Sequence, residues 1–369
     1  MKESKTGNFS FWLGKHHVVG VSGEAARKEF LDNKNLDFVG GAVLVGHGPD
    51  FVPPIHEIFH PTFHNGRSYF QRRLLDLLKT EQLIKRLPRV TRDARAAFEA
   101  LDKNPSGITD SAPTCYHLVV KQTCRIVCAD EISDDPKLME SYLGFLSILQ
   151  STSSVHTVAL PWLPSWAYMK RRYARWGLSS IVTPIVNKRL QKATPRKDDA
   201  VQMFIENGDS VEYMISFFIS ILFISIANAG VLAGAVLNIV AHHPEWQDLI
   251  YGEIKKAAEA HSPSKDAPLV EQLDSLPLEA WESSFPTIDL CYKEAIRMWV
   301  AFPAIRLNTS PNPIQIPGTD EVIPAGSFVA YNTSDAHFNE DIYADPTKYD
   351  PERFREGREE FKKQTYGCE

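Results

Sequence analysis

The chain has 369 residues, 43% hydrophobic and 23% charged, a composition that excludes wholesale disorder and leaves enough apolar material for a sizeable core. Lys and Arg total 40 against 46 Asp and Glu, and the formal net charge of −6 excludes the strongly basic surface that a nucleic-acid partner requires. The five cysteines (Cys115, Cys124, Cys128, Cys291, Cys368) are odd in number and no secretory signal opens the chain, so they read as buried thiols rather than a disulfide framework.

Phe9–Leu13 and His17–Val21 read as two short strands around a Gly14-Lys15 turn, with Ser22 placed to cap a helix over Glu24–Leu31. Ser68 to Leu101 carries helical spacing of apolar residues, and Pro88 predicts a kink or break between two amphipathic helices. Tyr116–Ala129 and Lys137–Leu149 continue the helical pattern, and Leu160–Trp166, with Pro161 and Pro164, interrupts it. From Tyr213 to Pro244 there is no Asp, Glu, Lys or Arg. Hydropathy alone makes about 213–241 a candidate single-pass membrane span, with Gly230 and Gly234 as its packing face. Ser216, Ser220, Ser225, Asn228 and Asn238 are scattered through it and favour an internal helix.

Beyond Pro244 a polar helix runs to about His261, a Pro/Ser/Lys linker follows, and Ile288–Phe302 is again helical. Ile305–Thr309, Ile314–Pro317 and Val322–Asn332 then form short β-like runs, so a small sheet draws on both chain ends. The expected fold is mainly α (α+β): one domain over 1–369, with β-rich portions at about 8–41 and 303–333 and a helical portion at about 68–302.

In Ile288–Phe302 the apolar Cys291, Ala295, Met298 and Phe302 share a stripe, and Glu294 lies beside it. A carboxylate is thus carried toward the core, one turn from Arg297. A partly buried ion pair needs further partners to offset desolvation, and Arg353, in Pro351-Glu352-Arg353-Phe354, is placed to supply a bidentate one.

Glu294-Ala295-Ile296-Arg297 resembles the E-x-x-R of the K-helix in cytochromes P-450, and Pro351–Phe354 resembles the P-E-R-F of that family. Between them Ile323-Pro324-Ala325-Gly326 and the run from Asp345-Pro346 to Tyr349-Asp350 keep the family's order, and the resemblance extends back to Asp37-Phe38-Val39-Gly40-Gly41. It is closest to fungal microsomal members related to the sterol 14-demethylases.

The resemblance implies a haem-thiolate monooxygenase that takes electrons from NADPH through cytochrome P-450 reductase and oxidises a small apolar substrate. It implies a place on the cytosolic face of the endoplasmic reticulum membrane, although no anchor precedes Met1. Glu294, Arg297 and Arg353 would form a structural charge triad, and Arg306 with Arg72 or Arg73 would meet the propionates of haem b. The long apolar segment would be the helix beside the haem; its oxygen-side positions fall on Ala227, where the family often has an acid, and on Asn228, which holds water without titrating. The family's F-x-x-G-x-x-x-C-x-G loop does not occur within the 369 residues, and Cys368 is the one cysteine near its place. The chain is therefore expected to be an incomplete and catalytically incompetent member.

Two rival chemistries stand beside this reading. His56-Glu57-Ile58-Phe59-His60 is a literal H-E-x-x-H, which on a helix holds zinc in a metallopeptidase, but Pro53-Pro54 and Pro61 restrict it to about one turn. Cys124 and Cys128 match no common zinc module and read as packing residues. A haem-free interaction role is the third class.

Overall fold

The structure is a computed structural model and describes residues 4–46, 55–60, 66–151, 165–300 and 302–367. The chain opens with the hairpin β1 (Phe9–Leu13) and β2 (His16–Val21), then α1 (Glu24–Asp32), β3 (Leu36–Asp37) and α2 (Phe38–Gly46). Ser22 does not cap α1: the N-cap is Gly23, at φ 86°, and the Ser22 N–H instead donates to Asn8 Oδ1. The glycine supplies a backbone angle that an L side chain resists, so the chain turns without a hydroxyl cap.

The helices that follow are α3 (Ile55–Phe59), α4 (Tyr69–Leu77), α5 (Thr80–Asp102), α6 (Ser111–Val127), α7 (Asp130–Asp134) and α8 (Pro136–Ser151). After them come α9 (Trp166–Leu190), α10 (Ala200–Glu206), α11 (Val211–Ala241), α12 (Pro244–His261), α13 (Leu269–Leu273), α14 (Leu278–Ser283) and α15 (Pro286–Trp299). The chain finishes with β4 (Pro303–Asn308), β5 (Ile314–Gln315), β6 (Val322–Ile323), β7 (Phe328–Asn332), α16 (Ser334–His337) and two short 3₁₀ turns at Pro351–Phe354 and Glu360–Lys363. Phe302 lies past the end of α15 and is exposed, so the buried stripe stops short of the expected end.

The α4/α5 boundary also differs from expectation. Pro88 sits inside α5, and the break falls at Leu78-Lys79, where Lys79 leaves helical geometry (ψ 135°) to become the α5 N-cap. Proline removes one ladder bond, and the helix before it (Thr80–Leu87, about two turns) and after it (Arg89–Asp102, about four turns) is long enough to hold together.

Two compact units emerge. One comprises residues 1–49, 152–172 and 292–369, the other 50–151 and 173–291. In the first, the sheet runs β1-β2-β7-β4-β3, with β2 parallel to β7 and the other pairs antiparallel. Val19, Val21, Phe30, Leu36, Val329 and Tyr331 bury one of its faces. Gly41 lets α2 lie against β4, because a Cβ there would stand 2.0 Å from the Ile305 carbonyl oxygen.

In the second unit α11 is a central internal helix. Met214, Ile215, Phe217, Phe218, Ile219 and Ile221 enter the same core as Val120, Cys124, Tyr142, Leu178 and Phe204. Gly230 and Gly234 admit α6, with Tyr116 Cα and Ala112 Cα at 3.2 and 2.9 Å from the positions a Cβ would take. The glycine pair thus packs an internal partner helix instead of a membrane partner. Among the described residues no helix is long and apolar enough to cross a membrane, and the single-pass reading finds no support.

Candidate functional site: a buried charge cluster

α15 carries Glu294 and Arg297 one turn apart, and both are fully buried. Arg297 donates to both carboxylate oxygens of Glu294, from Nε at 2.7 Å and Nη2 at 2.8 Å. Its other N–H groups go to the carbonyls of His337 (2.6 Å), Pro346 (2.7 Å) and Lys348 (3.5 Å). Arg353, also buried, donates from Nε to Glu294 Oε1 at 3.1 Å. The bidentate partner of Glu294 is therefore Arg297 rather than Arg353, because the helix sets the fork of its own neighbour parallel to the carboxylate while Arg353 spends its fork elsewhere. The Arg353 Nη atoms reach the carbonyls of Ala344 (2.9 Å), Asp345 (3.3 Å) and Lys348 (3.1 Å) and the carboxylate of Glu360 (2.9 Å). The Asp350 N–H completes Glu294 at 3.0 Å.

Each guanidinium has five N–H donors, and all are used on both arginines. Tyr343 faces both, with its ring centroid 4.9 Å from Arg297 Cζ and 5.6 Å from Arg353 Cζ.

Two members were not anticipated. Glu360 is 4% exposed, accepts the Ala344 N–H at 3.0 Å, and balances two buried arginines that a single carboxylate leaves net positive. Burial raises its carboxyl, but the Ala344 N–H, Arg358 and Arg353 outweigh that and hold it below the usual carboxylate range. The signal for it was charge arithmetic: two buried cations and one anion demand a second anion. His337 is 6% exposed with Nδ1 lacking a partner, and burial, reinforced by Arg297, holds its imidazole down to about 4.

The remaining candidate cations behave differently from one another. Arg73 is committed: it grips both oxygens of Asp209, donates to Asp76 at 3.1 Å, and is not available to an outside anion. Arg72 keeps a buried, unpartnered Nε, and no carboxylate pairs with it among the described residues. Arg306 donates to the carbonyls of Leu31 (3.1 Å) and Leu36 (3.4 Å), lies over the Phe30 ring at 5.1 Å, and has a buried, unpartnered Nε. Burial pulls its guanidinium below the ordinary value, and Asp37 and Asp32 offset only part of that. Arg306 and Arg72 thus each keep a donor for an outside anion, and Arg73 does not. Cys368 and the side chains of Ala227 and Asn228 lie outside the described residues.

The other lures resolve simply. α3 ends at Phe59, so His60 is off the helix, exposed and not one turn above His56 as zinc would require; the His56 side chain lies outside the described residues. No metal-holding cluster occurs among the described residues. Cys124 and Cys128 are fully buried in the core, and burial pushes the Cys124 thiol up to about 12 and Cys128 well above its ordinary value.

A mainly helical chain with a small mixed sheet drawn from its two ends and an E-x-x-R carboxylate locked by a downstream arginine is the arrangement of the cytochrome P450 fold class. The sequence profile of the cytochrome P450 family matches residues 3–367, and the chain belongs to that family. It is 66% identical over 367 residues to the cytochrome P450 monooxygenase AacuE of Aspergillus aculeatus, an alignment covering 99% of this chain and 73% of that relative. It is distantly similar to the sterol 14-demethylase of Arabidopsis thaliana, at 25% identity over 70% of this chain and 51% of that one. Retinoic acid-bound cyanobacterial CYP120A1 shares the fold with a TM-score of 0.70, covering 98% of this chain and 77% of that one at 18% identity.

Proposed function

We propose that this protein is a haem-dependent monooxygenase that inserts one atom of O₂ into a small apolar organic substrate, with electrons supplied from NADPH through cytochrome P450 reductase at the cytosolic face of the endoplasmic reticulum membrane. The observation that carries the reading is the fully satisfied Glu294–Arg297–Arg353 cluster in a chain 66% identical to a named monooxygenase. Haem, when bound, supplies the activation of O₂ for attack on a C–H bond.

The chain's own residues divide the remaining work. Glu294, Arg297 and Arg353 hold shape rather than react, since every donor is used and the carboxylate is sealed from solvent. Arg306 and Arg72, each with a buried, unpartnered Nε, are the candidates that would meet haem propionates. By the resemblance, Ala227 and Asn228 stand where the family often has a titrating acid and its neighbour, and neither of these residue types can titrate.

Residues 1–369 contain no F-x-x-G-x-x-x-C-x-G, and we read this polypeptide as incompetent by itself, with Cys368 a poor thiolate ligand without the loop around it. The test has two arms. The expressed 369-residue polypeptide, reduced under CO, is expected to lack the family's characteristic absorption band; a full-intensity band overturns the incompetence. The transcript beyond Glu369, read in all three frames, is expected to supply the missing pattern, and its product to give the band. Absence of the pattern in every frame overturns the monooxygenase reading in favour of a haem-free role.

A further inference from the structure

The helical unit holds a cleft that shares no residue with the charge cluster or with the candidate propionate cations. It lies between the second half of α5 and the corner formed by α13 and α14, its lining belongs to that one unit, and its volume of about 530 Å³ suits a small organic molecule. The α5 wall is a single stripe, Thr91, Ala94, Arg95, Phe98 and Asp102, at helical spacing. Arg95 holds the opposite wall in place: its Nη2 donates to the Val270 carbonyl at 3.0 Å and pairs with Asp274. Trp281 is fixed from behind, its ring 5.7 Å from that of Phe285 and packed on the cluster of Ala257, Leu276 and Ala280.

Three features of the cleft point to the same class of ligand. Phe98 and Val270, on facing walls, are 53% and 55% exposed, so two large apolar side chains stand beside Leu273 and Trp281 with nothing of this unit covering them. The Trp281 Nε1–H is buried and has no acceptor in the protein, and neither has Arg95 Nε. An indole N–H only donates, and leaving it unmatched costs stability, so an oxygen acceptor is the group that fits it. The third feature is charge: Glu99, Asp102 and Glu271 border the cleft without an ion pair among the described residues, while Asp274 is already matched by Arg95. Exposed carboxylates are ordinarily just solvated. Here they stand around aromatic faces, where a cation gains from both the carboxylates and the ring quadrupole, and an anion is repelled.

We propose that this cleft binds an organic ammonium that carries a flat apolar body and an oxygen acceptor. The body lies between Phe98, Val270 and Trp281, the oxygen accepts from the Trp281 N–H, and the cation stands among Glu99, Asp102 and Glu271. This goes beyond the monooxygenase reading and needs no haem.

The experiment is equilibrium dialysis of the 369-residue polypeptide against propranolol, a naphthyl ether with a secondary ammonium, and against the corresponding naphthyloxy propanediol, which keeps the body and the oxygens and lacks the cation. Propranolol is expected to bind saturably at one per chain, at least about fivefold tighter than the diol, and more weakly as salt is raised. Glu99→Gln/Asp102→Asn/Glu271→Gln is expected to bring propranolol down to the affinity of the diol without shifting thermal unfolding, since these side chains are exposed. Trp281→Phe keeps a ring and removes the donor, and is expected to weaken both probes by a similar factor, about threefold or more. Hydrogen exchange locates the site without a substitution: propranolol is expected to slow it over Thr91–Asp102 and Leu269–Ser283. Equal affinity for the two probes, a carboxylate variant that binds propranolol like the parent, a Trp281→Phe variant unchanged for both probes, or protection confined to other segments overturns the proposal. None of these outcomes bears on the CO spectrum, so the two readings fail separately.

Discussion

Buried ionic contacts around Glu294 and those in the helical unit spend their arginines differently. Around Glu294, six of the guanidinium hydrogen bonds from Arg297 and Arg353 end on backbone carbonyls between His337 and Lys348. In the helical unit Arg125 goes to Asp93 (2.9 and 3.2 Å), Asp130 (3.0 Å) and Asp134 (2.8 Å), and Arg189 to Asp199 and Glu131. The contrast follows from the backbone. Helices satisfy their interior carbonyls, so Arg125 and Arg189 find carboxylates, and the carbonyls that Arg86 reaches, those of Leu77 and Ile126, stand at helix ends. The stretch between α16 and Pro351 has no ladder, and its carbonyls are satisfied by guanidinium. Arg297 and Arg353 therefore act there in place of secondary structure.

That difference sets an order of expected damage. Glu294→Ala leaves two buried arginines with the single carboxylate of Glu360, which touches Arg353 alone of the two, and urea unfolding is expected to show a loss of about 3–5 kcal/mol. Asp93→Asn should cost only about 1 kcal/mol, because Arg125 keeps Asp130 and Asp134. Equal losses at the two sites would erase the distinction drawn between them.

The next test uses His337. Its imidazole titrates near 6.5 in the unfolded chain and about 4 in the folded one, so the unfolded state gains a proton first as pH falls. The stability it contributes is present above pH 6.5 and drains away as pH falls toward 4, by at most ~3 kcal/mol. His337→Gln is expected to flatten that part of the stability-against-pH curve; an unchanged slope would place the titration elsewhere. Glu360→Gln should cost about 1–2 kcal/mol at neutral pH and progressively less as pH falls through the folded carboxyl, because a depressed pKa gives stability only to the ionised form. A loss independent of pH would mean that Glu360 matters for its shape and not for its charge.

Much of this was legible beforehand, for physical reasons particular to each element. Glu294 and Arg297 were readable because helical spacing makes them neighbours, and Arg353 because the P-E-R-F resemblance named it. Glu360 was hidden in Arg-Glu-Gly-Arg-Glu-Glu, where every charge looks solvated until the arginines are known to be buried. The helix extents followed from periodicity, but the break at Leu78-Lys79 carries no proline, whereas Pro88, which does, sits inside α5. Arg72 and Arg73 are adjacent and chemically identical in sequence; only the fold shows that Asp209 claims one of them.

The smallest predicted effect probes the claim that helical backbone needs little help. Ser68 closes a capping box at the start of α4, accepting from the Gln71 N–H at 3.2 Å while its own N–H reaches the Gln71 side chain at 3.1 Å. Ser68→Ala leaves one N–H of the first turn without its acceptor, and the expected cost is about 1 kcal/mol. Hydrogen exchange should quicken at Gln71 and its neighbours and stay unchanged at the Asp350 amide held by Glu294. A loss much above that, or one that spreads to Asp350, would mean that the helical unit relies on single polar contacts as heavily as the carbonyl-bound stretch does.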